Sequence, residues 1–362
     1  MSTANTISGS YIHLPTRGLL EIRGKDASKF LQGLITNHMP RIENGGSGFF
    51  AAFLSPKGRV MYDAFIHPAN APKDADPTFL IECDARALPE LHKHIARFIL
   101  RSKVKLVGVT ESYDVYSVLD DSHHQDSMLG QEPAYSNTEV MERLGNMHAS
   151  IGMLDNRAAN RLGYRVIVPK GQTLSLPESY KQGTLEDYHV RRITNGVPEG
   201  IDDFIAGTSL PLECNIDYMN GVDFRKGCYV GQELTIRTYH KGIIRKRVVP
   251  VQYYKPNDTE PESFQFNKNA SYVIPPQSEL FLVKDEESSP QPTASSSSAR
   301  AVRASGKTGS NIGNIGLALV KLDDVTSGGT FNVMDREGAI IRAKAFFPTW
   351  WPQQPTSEDN AE

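Results

Sequence analysis

The sequence predicts an α+β fold that closes in an all-β domain, and three observations carry that reading. Apolar residues recur at helical spacing in two early stretches, Phe30-Leu31-x-x-Leu34-Ile35 and Leu88, Leu91, Ile95, Phe98 and Ile99. Between them, two apolar runs flank Ser55-Pro56-Lys57-Gly58 and form a hairpin. Beyond Lys241 the chain carries only short β-like runs. With 362 residues it is long enough for two to three domains.

Taken in order, a strand is expected at 19–23 and a helix opening at Asp26 as N-cap, ending near 37–40. The hairpin follows, with strands at 49–54 and 59–66. A period of two places Val60, Tyr62, Ala64 and Ile66 on one face, and Met61, Asp63 and Phe65 on the other. A carboxylate between two large apolar groups reads either as a solvated sheet rim or as a functional acid. The second helix starts near Leu88, with Pro89 in its first turn, and runs to about Leu100. A strand at 113–119 precedes a polar, irregular excursion over 120–145, where His123 and His124 read as loop residues. A strand is expected at 161–169, and Thr184 with Asp187 forms a capping box for a helix through about Ile193. The β-runs of the tail are 248–254, 279–283, 315–322, and the hairpin 330–334 with 339–346. Residues 288–310, eight of them Ser, bury too little apolar surface to order themselves and read as a flexible insertion.

Composition narrows the function. The net charge of -3 gives no global pull toward nucleic acid or an anionic membrane. No apolar stretch approaches the roughly 20 residues of a membrane span. Three cysteines, Cys83, Cys214 and Cys228, are too few for a disulfide framework or a four-ligand zinc site. His92 and His94 lie two apart and make a poor metal pair. The first sixteen residues hold no Arg or Lys, so no Arg-rich leader is legible there.

The most informative window is Arg225-Lys226-Gly227-Cys228-Tyr229-Val230-Gly231-Gln232-Glu233. Residues 225–247 hold seven Lys or Arg (Arg225, Lys226, Arg237, Lys241, Arg245, Lys246 and Arg247) against one acid, Glu233. Such a field favours thiolate over thiol at Cys228, the form that binds iron. The competing reading is a small buried hydrophobe, which Cys83 and Cys214 resemble more closely. Gly227 and Gly231 permit backbone geometries that a side chain would block. The basic run reads as solvated surface, or as a surface for a small polyanion or an acidic protein partner.

Lys226-Gly227-Cys228-Tyr229-Val230-Gly231-Gln232-Glu233 resembles the signature K-G-C-[YF]-x-G-Q-E of the YgfZ-type, folate-binding iron–sulfur assembly factors, relatives of the glycine-cleavage T-protein. Further blocks agree in order: Phe30-Leu31-Gln32-Gly33 with Thr36-Asn37; Pro56-Lys57-Gly58-Arg59 with Asp63; Asp155-x-Arg157 with Leu162-Gly163-x-Arg165; Tyr188 and Arg192 leading to Gly196-Val197-Pro198-Glu199; and Pro211-Leu212-Glu213-x-Asn215. The character is closest to the eukaryotic mitochondrial branch.

The resemblance implies a T-protein-like α+β fold, with two interleaved α+β modules over 1–240 and a C-terminal β-barrel over 241–353, round a central funnel. It implies a late-acting assembly factor in the mitochondrial matrix rather than a turnover enzyme. Cys228 would be one ligand of a two-iron cluster bridged to an A-type scaffold protein in a heterodimer, serving four-iron client enzymes. Asp63 and Glu213 fall at folate-contacting positions and imply possible tetrahydrofolate binding. That keeps open two alternatives, a folate-dependent aminomethyl transferase and a non-catalytic folate-binding regulator.

Overall fold

The computed structural model describes residues 9–69, 76–120, 136–144, 150–270, 272–283 and 303–352. In chain order the elements are β1 (Gly9–His13), β2 (Arg17–Arg23), α1 (Ala27–Gln32), α2 (Pro40–Glu43), β3 (Phe49–Leu54), β4 (Val60–Pro68), β5 (Thr78–Asp84), α3 (Leu88–Ala96), β6 (Lys105–Gly108), β7 (Tyr113–Asp120) and α4 (Asn137–Arg143). Then come β8 (Ile151–Leu154), β9 (Tyr164–Pro169), β10 (Tyr180–Gln182), α5 (Leu185–Thr194), α6 (Gln232–Lys241), β11 (Lys246–Tyr254), β12 (Glu279–Leu282), β13 (Gly306–Ile312), β14 (Ile315–Lys321), α7 (Leu322–Thr326), β15 (Thr330–Met334) and β16 (Ile340–Ala345).

The strands form two five-stranded sheets and a closed barrel. One sheet runs β3-β4-β5-β2-β6, and the other β10-β1-β7-β9-β8. The chain starts in the second sheet, builds the first from β2 to β6, and returns to the second at β7, so the two are interleaved. The barrel order is β11-β14-β13-β12-β15-β16. Helices α1 and α3 bury their apolar stripes (Phe30, Leu31, Leu91, Ile95) on one face of the first sheet. Between the two sheets lie Leu19, Leu80, Val115, Ile151 and Ile167.

Several expectations change. Helix α1 stops at Gln32 because the chain turns to hand the backbone of residues 32–37 to a distant loop. Asp26 does take the N-cap position, but its side chain makes no capping bond; its carboxylate accepts instead from the Lys103 amide at 2.7 Å. Helix α3 does start at Leu88 but ends at Ala96. The 161–169 strand begins only at Tyr164, because Ala159 and Asn160 are left-handed and Gly163 has φ +70. The irregular region over 120–145 contains α4, nucleated by a capping box between Ser136 and Glu139; His123 and His124 lie outside the described residues. The insertion placed at 288–310 overlaps β13, whose small residues fit tight spaces. A Cβ at Gly306 would meet the Leu319 carbonyl at 2.4 Å, and Thr308 is buried and bonded to Pro275. On β4 the alternation holds for Tyr62, Ala64 and Ile66 against Phe65. A bulge pairs Leu54 with Val60 and sends Val60 to the other cluster.

A buried ion network joins the two sheets. Arg165 on β9 donates to Glu82 on β5, to Asp155 and to Glu199, each at 3.2 Å. Arg17 on β2 donates to Glu82 at 2.7 Å and lies 3.6 Å from Glu199. Arg157 makes a two-pronged contact with Asp155, both arms 2.8 Å, and reaches Glu199 at 2.8 Å. Tyr188 on α5 donates to Glu199 at 2.6 Å, and the Arg157 and Arg165 guanidiniums both lie over the Phe65 ring. Three guanidiniums face three carboxylates, all buried. A second pair, Arg192 and Asp203 at 2.8 Å, ties α5 to the barrel through Ser310 on β13.

Truncating one member strands charges that cannot reach water. Arg165→Met is expected to cost about 3–5 kcal/mol of unfolding free energy, read as a lower urea midpoint. Burial raises the Glu82 pKa, but Arg165 and Arg17 outweigh it and hold the carboxyl down at about 2, from an ordinary 4.5. Glu199 is likewise held well below its ordinary value by Arg17, Arg157 and Arg165. A depressed carboxyl stabilises the fold fully above its unfolded pKa, and the gain drains away as pH falls toward the folded value. Glu82 and Glu199 therefore add no pH dependence above about pH 5, and they make the urea midpoint fall steadily from about pH 4.5 toward 2.

Candidate functional site

The signature segment is stitched onto the residues that follow α1. Thr36 donates its hydroxyl to the Gly221 carbonyl at 2.5 Å, and its own carbonyl accepts from the Asp223 amide at 3.0 Å. Asn37 donates to the Asn220 carbonyl, and the Val230 amide bonds the Gly33 carbonyl. The central tie is Lys226. Its buried ammonium donates to the carbonyls of Gln32, Ile35 and Asn37 at 2.7, 2.6 and 2.8 Å, and lies 4.7 Å from the Tyr229 ring centre. Burial pushes the Lys226 pKa down to about 7. The three carbonyls take up all three protons of the ammonium and favour the charged form. Lys226 is thus a structural clamp, not a steering charge, because its charge is spent on the backbone beneath it.

The same holds for Arg247. Its buried guanidinium grips Asp217 through two bonds of 2.9 and 2.8 Å, donates to the Leu212 carbonyl, and lies over the Tyr218 ring. Of the seven basic residues in this stretch, Arg225, Arg237, Lys241 and Arg245 are exposed and Lys246 is half-buried.

Cys228 is exposed, while Cys83 and Cys214 are buried. Burial pushes the Cys214 thiol up to about 12 and raises the Cys83 thiol as well. After Cys228 the chain turns through Tyr229, which is buried, and Gly231, which has φ +79 and caps α6. A Cβ at Gly231 would sit 2.3 Å from the Ser55 carbonyl, so the hairpin turn and the signature loop touch there. Gly227 carries no such requirement: a Cβ there would meet nothing within 4 Å. Gln232 reaches back to the Tyr229 amide at 3.3 Å, and Glu233 points to solvent. Helix α6 was not legible in the sequence. It buries only Thr235, and its one start signal is a left-handed glycine.

Asp63 does not sit on a solvated rim. It is buried, with Oδ1 accepting from the Gly200 amide at 3.2 Å and Oδ2 without a partner. It is the fourth carboxylate beside a network in which three cations already balance three anions. Burial, opposed by Arg17 and reinforced by Glu199, pushes its pKa up to about 6. Glu213 is half-buried, and its pKa is raised by burial, with Lys246 and Arg59 opposing. It lines a cavity of about 300 Å³ where the 203–214 segment meets the barrel. Asp63 does not line that cavity. Among the described residues no group of three or more His, Cys, Asp or Glu side chains could hold a metal.

An acid whose folded pKa is raised stabilises the fold below its unfolded pKa and loses that contribution as pH rises through the folded value. Asp63→Asn is expected to stabilise the protein by about 2–3 kcal/mol at pH 7, from the 3.8-to-6 displacement at about 1.4 kcal/mol per unit. The gain should vanish below about pH 4, where Asp63 is protonated in both states. Melting curves of the two proteins at pH 7 and pH 4 check this.

Comparison with known proteins adds three findings. Residues 245–353 match the family model "CAF17, C-terminal beta-barrel domain". A crystal structure of the glycine cleavage system aminomethyltransferase T from Bartonella henselae superposes with a TM-score of 0.62, covering 96% of this chain and 87% of that one, at 11% identity; this likeness concerns the fold. The iron–sulfur cluster assembly factor IBA57 homolog, mitochondrial, of Mycosarcoma maydis is 35% identical over 96% of this chain and 86% of its own length. The homolog from Aspergillus fumigatus is 36% identical over 96% and 77%. On identity and coverage of this extent, the chain belongs to the IBA57 family of mitochondrial iron–sulfur cluster assembly factors.

Proposed function

We propose that this protein acts late in iron–sulfur cluster assembly in the mitochondrial matrix, as the partner of an A-type scaffold protein. The reading rests on one observation: of three thiols, only Cys228 is exposed, and it lies on a loop clamped at Lys226 and Gly231. A rigid loop presenting one thiol suits a shared ligand. A two-iron cluster needs about four protein ligands. The described part of this chain offers no group that could supply them alone. The scaffold would therefore bring the remaining thiolates to a heterodimer, with the cluster as cargo bridged through Cys228. The four-iron enzymes would be the clients of the complex. The exposed cations Arg225, Arg237, Lys241 and Arg245 favour an acidic partner.

Mixing the protein with an A-type scaffold, iron and sulfide should produce a heterodimer with visible cluster absorption. Cys228→Ser should lose the absorption and the cluster-linked complex. Retention of both would rule out the ligand role. Alkylation provides a second check: Cys228 should react in the folded protein, and Cys83 and Cys214 only after unfolding, because burial denies them both access and thiolate.

A further inference from the structure

Helix α6 follows Cys228 directly, yet it is barely covered. Of its ten residues only Thr235 is buried. Along one flank runs a groove of about 340 Å³ with an apolar lining from Leu210, Leu212, Leu234, Ile243 and Ile244. Ile243 is 81% exposed, and Tyr239 on the same segment is also exposed, an unusual pair for an isolated surface. Tyr239 is held in place by stacking on Phe224, with ring centres 3.6 Å apart. In the groove, the Thr235 hydroxyl is buried and has no hydrogen-bond partner.

The rim is cationic. Lys226 and Arg247 are consumed internally; Arg245 and Lys246 line the groove against Glu213, while Arg237 and Lys241 line a second depression along α6 with Glu233. The chain as a whole carries -3, so this is a local reversal. An apolar floor with a positive rim selects its occupant. Phosphate polymers satisfy the rim but leave the floor wet. An amphipathic segment rich in Asp and Glu satisfies both.

We infer that the groove between α6 and the start of β11 receives an acidic amphipathic segment of the scaffold partner, apolar side chains inward and carboxylates on the cations. This rests on the proposed function and adds where the partner holds on, independently of the cluster. Docking here places the partner beside Cys228 before iron arrives, so the shared ligand set assembles within one encounter.

The test is a titration of the full chain with the metal-free A-type scaffold protein, followed by anisotropy at about 50 and about 300 mM salt. Ile243→Asp is expected to weaken binding about tenfold or more. The double variant Lys241→Glu with Arg245→Glu should weaken it about tenfold at the lower salt and flatten the salt dependence. Lys255→Glu, a like charge change beyond the far end of β11, should stay within about twofold of wild type. All three carry exposed substitutions and should melt with wild type. Wild type binding only once the cluster is reconstituted would overturn docking independent of the cluster, and with it this inference. Ile243→Asp and the double variant both binding within about twofold of wild type would overturn the groove assignment while leaving the Cys228 reading intact. Absence of scaffold binding by wild type in either form would overturn the proposed function itself, and this inference with it. A third arm uses phosphatidylcholine vesicles with about a fifth phosphatidylglycerol. Vesicle binding lost in Ile243→Asp, with scaffold affinity unchanged, would assign the surface to a membrane and overturn the inference.

Discussion

Burying six formal charges between two sheets is the constraint around which this molecule is arranged. Each guanidinium has at least two carboxylate neighbours, and Glu82 and Glu199 each meet more than one arginine. Such a set is stable only when complete, because any gap leaves a charge without water or partner. The residues come from β2, β5, β9, α5 and the loops at 155–157 and 199. The network therefore dictates how the two sheets face each other. The Phe65 ring lies against two guanidiniums at once and fixes the face of β4 that meets the network. Asp63 shares that face as an extra carboxylate, which is why its ionisation is disfavoured and why it makes so few bonds.

The exposed thiol depends on this interior at one remove. The first sheet carries the 32–37 segment on its helical side, and that segment supplies the carbonyls that hold Lys226. On the other flank, Gly58 and Gly231 allow the β-hairpin turn to press against the signature loop. Cys228 sits between the two attachments. Its position follows from a chain of contacts that begins with backbone hydrogen bonds and ends at a solvent-facing sulfur.

Much of this was legible in the sequence, for definable reasons. The hairpin around Ser55–Gly58, the Thr184 capping box and the barrel strands other than β13 obey local rules of spacing and turn chemistry, and those rules were not overridden. The family likeness named the blocks that later met in space: Asp155, Arg157, Arg165, Tyr188 and Glu199 in the network, and Gln32, Asn37 and Gly58 around the signature. What the sequence did not reveal is which charges point inward. Lys226 and Arg247 read as part of a basic run, since nothing in a linear charge count distinguishes an ammonium under three carbonyls from one in water. Helix α6 was missed because it lacks an apolar stripe, and β13 because a strand of Gly, Thr and Ser looks like a linker until its neighbours are known.

The interleaving of the sheets bears on how the chain reaches its native state. Strand β1 must wait for residues 113–120 and 180–182 before it is paired on both sides. Arg17 must likewise wait for Glu199, far along the chain. Contacts this distant in sequence make for slow, cooperative folding. An intermediate with only the first sheet formed would leave Glu82 without Arg165 and Arg17 without Glu199, so the two sheets are expected to order as a single kinetic unit once the chain has emerged past residue 199.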